Sequence, residues 1–352
     1  MSTRESIVEL RDVHVVHRTG GGGMFSRERV YALTGADLTV RAGETIGVVG
    51  ESGCGKSTMA KVLVGLQRPT SGTVAFAGKD VWSMNAAERR QHIGAGVGMI
   101  FQDPATSLNR RMPVRDILRD PLDVHRRGTR QQREERVSEL MNLVGLPRSV
   151  ADVLPSQLSG GQRQRVSIAR ALALEPGLVI ADEPTSALDV SVRAQILNLL
   201  LDLKERLNLA MVFVSHDIQT VKRISDRVVT MYLGRIVEQT PAAGLPEVAQ
   251  HPYTRALFSA TPGLLSPLDP IPLVGPVPLA TRPPSGCPFR TRCWKATDVC
   301  ATEMPPVETG GDGSHEFRCY HPVSAGSSNA ELVELARAAT GRTTPLHVEE
   351  TA

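Results

Sequence analysis

Apolar positions along the chain change their period several times, and each change marks a different kind of element. Residues 7–49 alternate apolar with polar and carry many β-branched side chains, which predicts an antiparallel β portion flanking the core. Three runs are apolar nearly throughout: Thr45-Ile46-Gly47-Val48-Val49, Leu178-Val179-Ile180-Ala181 and Ala210-Met211-Val212-Phe213-Val214. Each is expected as a short buried strand of an α/β sheet. Elsewhere the spacing is helical. It predicts helices at Lys56 to Leu66, Val114–Asp120, Arg130–Val144 and Asp189–Leu207, with Val137, Leu140, Met141 and Val144 on one stripe of the third. Residues about 104–157 therefore read as mostly helical. Val228–Gln239, with Gly234 at its turn, predicts a hairpin. From about 262 to 286 proline dominates and an extended linker is expected. Beyond 324 the pattern supports one short helix, Ala330–Ala339, and a frayed end.

Between the first apolar run and the first helix lies Gly50-Glu51-Ser52-Gly53-Cys54-Gly55-Lys56-Ser57-Thr58, which matches GxxxxGK[ST]. Glycines let the backbone curl so that successive N–H groups face one concavity, and the helix dipole adds to the field there. Such a nest holds a triphosphate. Lys56 is expected to reach the β- and γ-phosphates and Ser57 to ligate Mg²⁺. Thr58 is assigned to the α-phosphate side or the helix cap, and Cys54 to small filler.

The second apolar run ends in Asp182-Glu183 and the third in Ser215-His216-Asp217. Strand ends deliver such side chains to the carboxyl edge of the sheet, where open α/β sheets bind ligands. Asp182 is expected beside Mg²⁺, Glu183 to polarise the attacking water, and His216 to bond the γ-phosphate and hold carboxylate and water in line.

Taken in order, the phosphate loop, Gln102, Leu158-Ser159-Gly160-Gly161-Gln162, Asp182-Glu183, Ser186-Ala187-Leu188-Asp189 and His216 resemble the ATP-binding subunit of an ABC transporter over nearly all of residues 7–260. The fold this implies is an α/β P-loop NTPase of ABC type: a mixed sheet core, an antiparallel β subdomain and a helical subdomain at about 104–170, together forming a nucleotide-binding domain at 1–260. The resemblance further implies that two such domains clamp two ATP molecules head to tail. Ser159, Gly160, Gly161 and Gln162 would then touch ATP held by the other subunit. They are expected to open a helix, Gln162 to Leu174, whose N-terminus suits a γ-phosphate. Gln102 would sense Mg²⁺ and water and relay to membrane subunits, and Asp189 would organise the dimer seam. Where the family places an aromatic to stack on adenine, this chain has His17; Phe25 and Tyr31, beside the glycine run 20–23, are the alternatives.

Phe101–Asn109 and His251-Pro252-Tyr253-Thr254-Arg255-Ala256-Leu257 resemble oligopeptide and dipeptide importers, in which the second segment opens a C-terminal extension, here 261–325. Residues 326–352 are expected as a flexible tail. Four of the five cysteines fall in the extension: Cys287, Cys293, Cys300 and Cys319. With no export signal the compartment is reducing, which argues against disulfides and for thiolate ligation of zinc or iron–sulfur. The intervals of five, six and eighteen residues lack the CxxC pairs of zinc ribbons. The resemblance favours a structural [4Fe-4S] cluster, with zinc as the alternative and plain small apolar fillers as the third reading.

At 352 residues the chain can form one large core plus an appendage, and its net charge of +3 implies no broad polyanion-binding field. Met1–Leu10 is polar, unlike a secretory signal, and no run approaches the roughly 18 apolar residues of a membrane span. The basic stretch Arg126–Arg136 is interleaved with Glu134 and Glu135, which suits a solvated helix face and not nucleic acid. No internal repeat suggests two fused nucleotide domains. The reading is an ATP-hydrolysing motor at the cytoplasmic face of the membrane. Its implied partners are a second ATPase subunit, favoured as a related chain, two permeases and an extracytoplasmic solute-binding protein. Di- and oligopeptides are the favoured cargo, with nickel or glutathione as alternatives. An ABC ATPase acting on DNA or ribosomes would carry coiled-coil inserts or fused domains, and a non-hydrolysing regulatory subunit conflicts with Glu183 and His216.

Overall fold

The computed structural model describes residues 5–20, 27–260, 269–310 and 313–340. Two sheets organise it. The smaller pairs β1 (Ser6–Gly20) with β2 (Arg27–Arg41) and, on its other side, with β4 (Ser71–Phe76), which carries the short β5 (Lys79–Asp80). All its pairings are antiparallel. Inward-facing Val8, Leu10, Val13, Val15, Leu33, Leu38 and Val40 alternate with exposed positions, so one face packs on the nucleotide core while the other is wetted.

The larger sheet has the order β11-β12-β10-β9-β3-β8-β7-β6. Its parallel part comprises β3 (Thr45–Val49), β6 (Val97–Ile100), β7 (Leu178–Asp182), β8 (Ala210–Val214) and β9 (Arg227–Tyr232). Every residue of β3, β7 and β8 is buried, because helices cover both faces. β10 (Arg235–Pro241) turns back on β9 through Leu233-Gly234, completing the hairpin.

The helix α1 (Lys56–Leu63) is shorter than its apolar spacing suggested: the chain leaves it at Val64, and Leu66 stands 64 % exposed. The helix α2 (Ala86–Gly96) opens on an Asn85–Glu88 capping box. Between β6 and β7 run α3 (Pro104–Ser107), α4 (Val114–Val124), α5 (Arg130–Leu143) and α6 (Gly160–Ala171). Val137, Leu140, Met141 and Val144 bury together against Ile117 and Leu118 of α4. Within the basic stretch Arg133 pairs with Asp123, and Arg136 pairs with Glu139 and Glu175. The helix α7 (Val190–Leu207) packs on the sheet through Ile196, Leu197, Leu200 and Leu203. The short α8 (Ile218–Ile224) and α9 (Pro252–Ser259) follow.

The C-terminal third departs from expectation. The described part of the proline-rich segment is held on the core: Ile271 is buried and donates its N–H to Ser259 Oγ. After the short α10 (Val299–Thr302), the strands β11 (Glu308–Gly310) and β12 (His315–Phe317) join the main sheet against β10. The helix α11 (Asn329–Thr340) also docks, burying Leu332, Val333 and Ala336 against Ile271, Val323 and Ala256. The extension is thus a layer of the core's own architecture, and α11 belongs to it and not to a loose tail. Gly21, Gly22 and Gly23 of the glycine run, Phe25 and everything beyond 340 lie outside the described residues.

Candidate active site

The phosphate loop leaves β3 and enters α1 through Gly55, whose φ of +105° suits glycine alone; a Cβ there would also sit 2.3 Å from the Ala32 carbonyl oxygen. Lys56 is buried despite its charge because Nζ donates to the carbonyls of Gly50 (2.7 Å) and Glu51 (3.0 Å). Cys54 is buried 3.9 Å from that ammonium, and burial pushes its thiol pKa up, consistent with an inert filler. A cleft of about 590 Å³ opens here. Ser52, Gly53, Lys56, Ser57 and Thr58 form one wall, Gln102, Glu183 and His216 a second, and His17, Val30, Ala32 and Ala280 a third.

Asp182 is the last residue of β7 and accepts a hydrogen bond from Ser57 Oγ at 3.3 Å. Burial raises its pKa above the usual carboxylate range, opposed by the Ser57 bond and by Lys61 and Lys56. A hydroxyl and a partly desolvated carboxylate are hard oxygen donors of the kind Mg²⁺ takes, so this pair fits the ion. One residue on, Glu183 adopts φ +46°, a strained conformation for a residue bearing a side chain. Its N–H bonds the Val214 carbonyl at 2.9 Å, which turns the side chain off the strand's end. Glu183 Oε2 then receives Gln102 Nε2 (3.3 Å) and meets His216 Nδ1 (3.2 Å). Gln102 and His216, from two other sheet connections, thus converge on one oxygen of Glu183.

Ser159, Gly160, Gly161, Gln162 and Asp189 do not line this cleft. Ser159 caps α6, its hydroxyl accepting from the Gln162 N–H while the Gln162 side chain returns to the Ser159 N–H. That box starts the helix at Gly160, two residues before the expected Gln162, and the helix closes at Ala171, before the expected Leu174. A Cβ on Gly161 would approach Val192 Cγ1 to 2.8 Å, so the glycine permits α6 to pack on α7. Asp189 stands at the N-cap of α7, beside an 81 % exposed Val190. On the third wall, His17 lines the cleft, while Tyr31 gives its backbone N–H to the Ala280 carbonyl at 3.0 Å.

Contacts of the loop with the extension were not foreseen. Arg292 forms a forked pair with Glu51, at 2.6 and 3.0 Å. The Tyr253 hydroxyl accepts the Glu51 N–H at 2.9 Å. Tyr232, Tyr253 and Phe289 pack edge to face behind them, with ring centroids 4.7–5.3 Å apart. Burial works against the Arg292 charge, but the Glu51 pair outweighs it and holds the guanidinium above its ordinary pKa. In the sequence Tyr253 served only as part of a subfamily marker. Nothing but adjacency to Cys293 pointed to Arg292.

The four cysteines of the extension are free, and their sulfurs lie within electrostatic reach of one another. The backbone N–H groups of Lys295 and His321 point at Cys293 Sγ (3.4 Å) and Cys319 Sγ (3.3 Å). Burial, then repulsion from the neighbouring cysteines, pushes Cys293 and Cys319 up to about 12. Among the described residues no group of three or more His, Cys, Asp or Glu is placed to hold a metal ion. The expected Cys₄ centre therefore has donors of suitable chemistry but no formed cage.

A phosphate loop, a strand-end carboxylate held by Gln102 and His216, and a signature segment outside the cleft define the class, an ABC-type ATPase. The family models agree: residues 33–186 match "ABC transporter" and residues 237–300 match "Oligopeptide/dipeptide transporter, C-terminal region". The chain is 42 % identical to the oligopeptide transport ATP-binding protein AppF of Bacillus subtilis, over 91 % of this chain and 98 % of that protein. It is 46 % identical to the oligopeptide transport ATP-binding protein OppF of Salmonella typhimurium, over 82 % and 87 %. Among solved structures it resembles the dimeric, post-hydrolysis ATP-binding cassette MJ0796 bound to ADP and Pi (TM-score 0.61, 31 % identity, 68 % of this chain and 100 % of that one). The chain belongs to the family of ABC transporter ATP-binding proteins.

Proposed function

We propose that this chain is the motor subunit of an importer that takes up di- or oligopeptides, coupling ATP hydrolysis to movement of two membrane permeases. The observation that carries the motor reading is the convergence of Gln102 and His216 on Glu183, across the cleft from Lys56 and Ser57. In this reading Lys56 and the loop amides bind the phosphates, and Ser57 and Asp182 hold Mg²⁺. Glu183 takes the proton of the attacking water, while His216 and Gln102 fix its orientation. Ser159, Gly160, Gly161, Gln162 and Asp189 lie outside their own chain's cleft and serve the ATP of a second subunit, proposed to be a related chain. His17 faces the adenine.

Peptide cargo is supported by the C-terminal family match and by relatives named for oligopeptide and dipeptide transport. Residues 1–260 form the nucleotide domain in this reading, with 104–170 as the surface toward the permeases. No helix among the described residues is long and apolar enough to cross a membrane, so attachment through partners at the cytoplasmic face is proposed. The four thiols are proposed to carry a structural [4Fe-4S] cluster, or zinc, on the strength of their donor chemistry and the N–H donors at two sulfurs. Iron, sulfide and zinc assays on anaerobically purified protein test this, and absence of all three removes it. The importer reading is tested by purifying the chain with its permeases and solute-binding protein and measuring ATP-dependent uptake into vesicles. Uptake of nickel or glutathione but not peptides would overturn the cargo assignment.

A further inference from the structure

The extension reaches the phosphate loop at a point where charge matters. Glu51 lies inside the loop, five residues before Lys56, and its carbonyl accepts from the Lys56 ammonium at 3.0 Å, so its carboxylate, though not lining the cleft, belongs to the turn that must receive a polyphosphate. Alone, that carboxylate would repel the incoming anion, and in a partly desolvated cleft the repulsion is weakly screened. Arg292 is 8 % exposed at its side chain and grips both Glu51 oxygens. Its guanidinium also lies over the Tyr232 ring, 6.0 Å from the centroid. The stretch that carries Arg292 is held on the core by Phe289, packed against Tyr232 and Tyr253, and within the extension by the bond from the Cys287 N–H to the Cys300 carbonyl. A second part of the extension, Ala280, lines the same cleft.

We infer that Arg292 is a positioning residue of the nucleotide site: by pairing with Glu51 it cancels a negative charge next to the triphosphate and fixes the loop, so the extension sets the affinity for ATP from within the same chain. This rests on the assignment of the cleft as the ATP site. It adds that a residue outside the nucleotide domain tunes that site, and it requires no metal at the cysteines. The arrangement makes a prediction of sign: once the arginine is gone, removing the carboxylate must help.

The test is a double-mutant cycle on the full chain, read by titration with a fluorescent ATP analogue and by steady-state ATPase. Arg292→Ala should raise the Kd and the KM for ATP about tenfold while kcat changes less than twofold. Arg292→Lys should recover part of the loss. Adding Glu51→Gln to Arg292→Ala should bring the Kd back to within about threefold of the parent. Arg290→Ala, on the same loop but bonded to Ser285, should leave the Kd unchanged. If Arg292→Ala binds ATP normally, or if the double variant binds no better than Arg292→Ala, the inference is overturned. Should Arg292→Ala fail to fold, Arg292→Gln and Arg292→Lys carry the same comparison. Failure of the unaltered chain to bind ATP would instead sink the assignment of the cleft itself.

Discussion

Glu183 shows how a single residue can be chemically legible and conformationally hidden. Its place after an apolar strand and after a phosphate loop makes it the proposed base for the water, yet only the fold shows that it adopts φ +46° where it meets Gln102 and His216. Glu183→Gln preserves size and the hydrogen bond with Gln102 while removing the basic oxygen. ATP should bind with unchanged affinity, and turnover should fall by about 10² or more; phosphate release at wild-type rate would exclude Glu183 as the base. Lys56→Ala removes a cation worth about 1.5–3 kcal/mol in charge-assisted bonds, so the Kd for ATP should rise about tenfold to a hundredfold in equilibrium binding. Arg292 marks the other extreme. An arginine in a cysteine-rich loop carries no local signal of a partner 241 residues away.

Among the elements, those fixed by local chemistry were the most legible. β3, β7 and β8 are buried on both faces, and a run of apolar residues has no other place to go in an α/β sheet. Element ends followed rules that periodicity does not contain. Ser159 starts α6 early through its capping box with Gln162, and Ser159→Ala should lower stability by about 1 kcal/mol in chemical denaturation. The helix α9 supplies a pH-dependent element. His251 Nδ1 accepts the Tyr253 N–H, which requires the neutral ring, and burial lowers its pKa from 6.5 to about 4 against the pull of Glu238. A depressed folded pKa means the unfolded chain binds the proton first. Stability contributed by neutral His251 is therefore full above pH 6.5 and falls as the pH drops toward 4, by roughly 3 kcal/mol in all. His251→Asn, which keeps a cap acceptor, should flatten that part of the pH profile in urea titrations.

At the scale of the whole molecule, the catalytic site is split. One wall set holds the loop with Gln102, Glu183 and His216, while Ser159, Gly160, Gly161 and Gln162, at the start of α6, do not line the cleft. A second subunit that covers the cleft accounts for both facts, and for the exposure of Val190 beside Asp189. With MgATP, Glu183→Gln should therefore double in mass by light scattering, alone or with its related partner chain, and ADP should return it to the monomer. A mass independent of nucleotide would refute the clamp. The extension also acts at this scale. β12 adds to the edge of β10, His315 Nε2 meets buried Glu238 at 2.7 Å, and α11 closes over Ile271.

Sequence alone determined that the chain is an ABC-type ATPase, because its phosphate loop and the motifs that follow are short and their backbone geometry is local. It also determined the buried strands and the main helices, since period and burial are properties of neighbouring residues. Where the proline-rich segment and the cysteine loop would lie was decided only in three dimensions. Those residues have weak local preferences, and their positions come from pairing with partners far along the chain: Tyr31 for Ala280, β10 for β12, and Glu51 for Arg292.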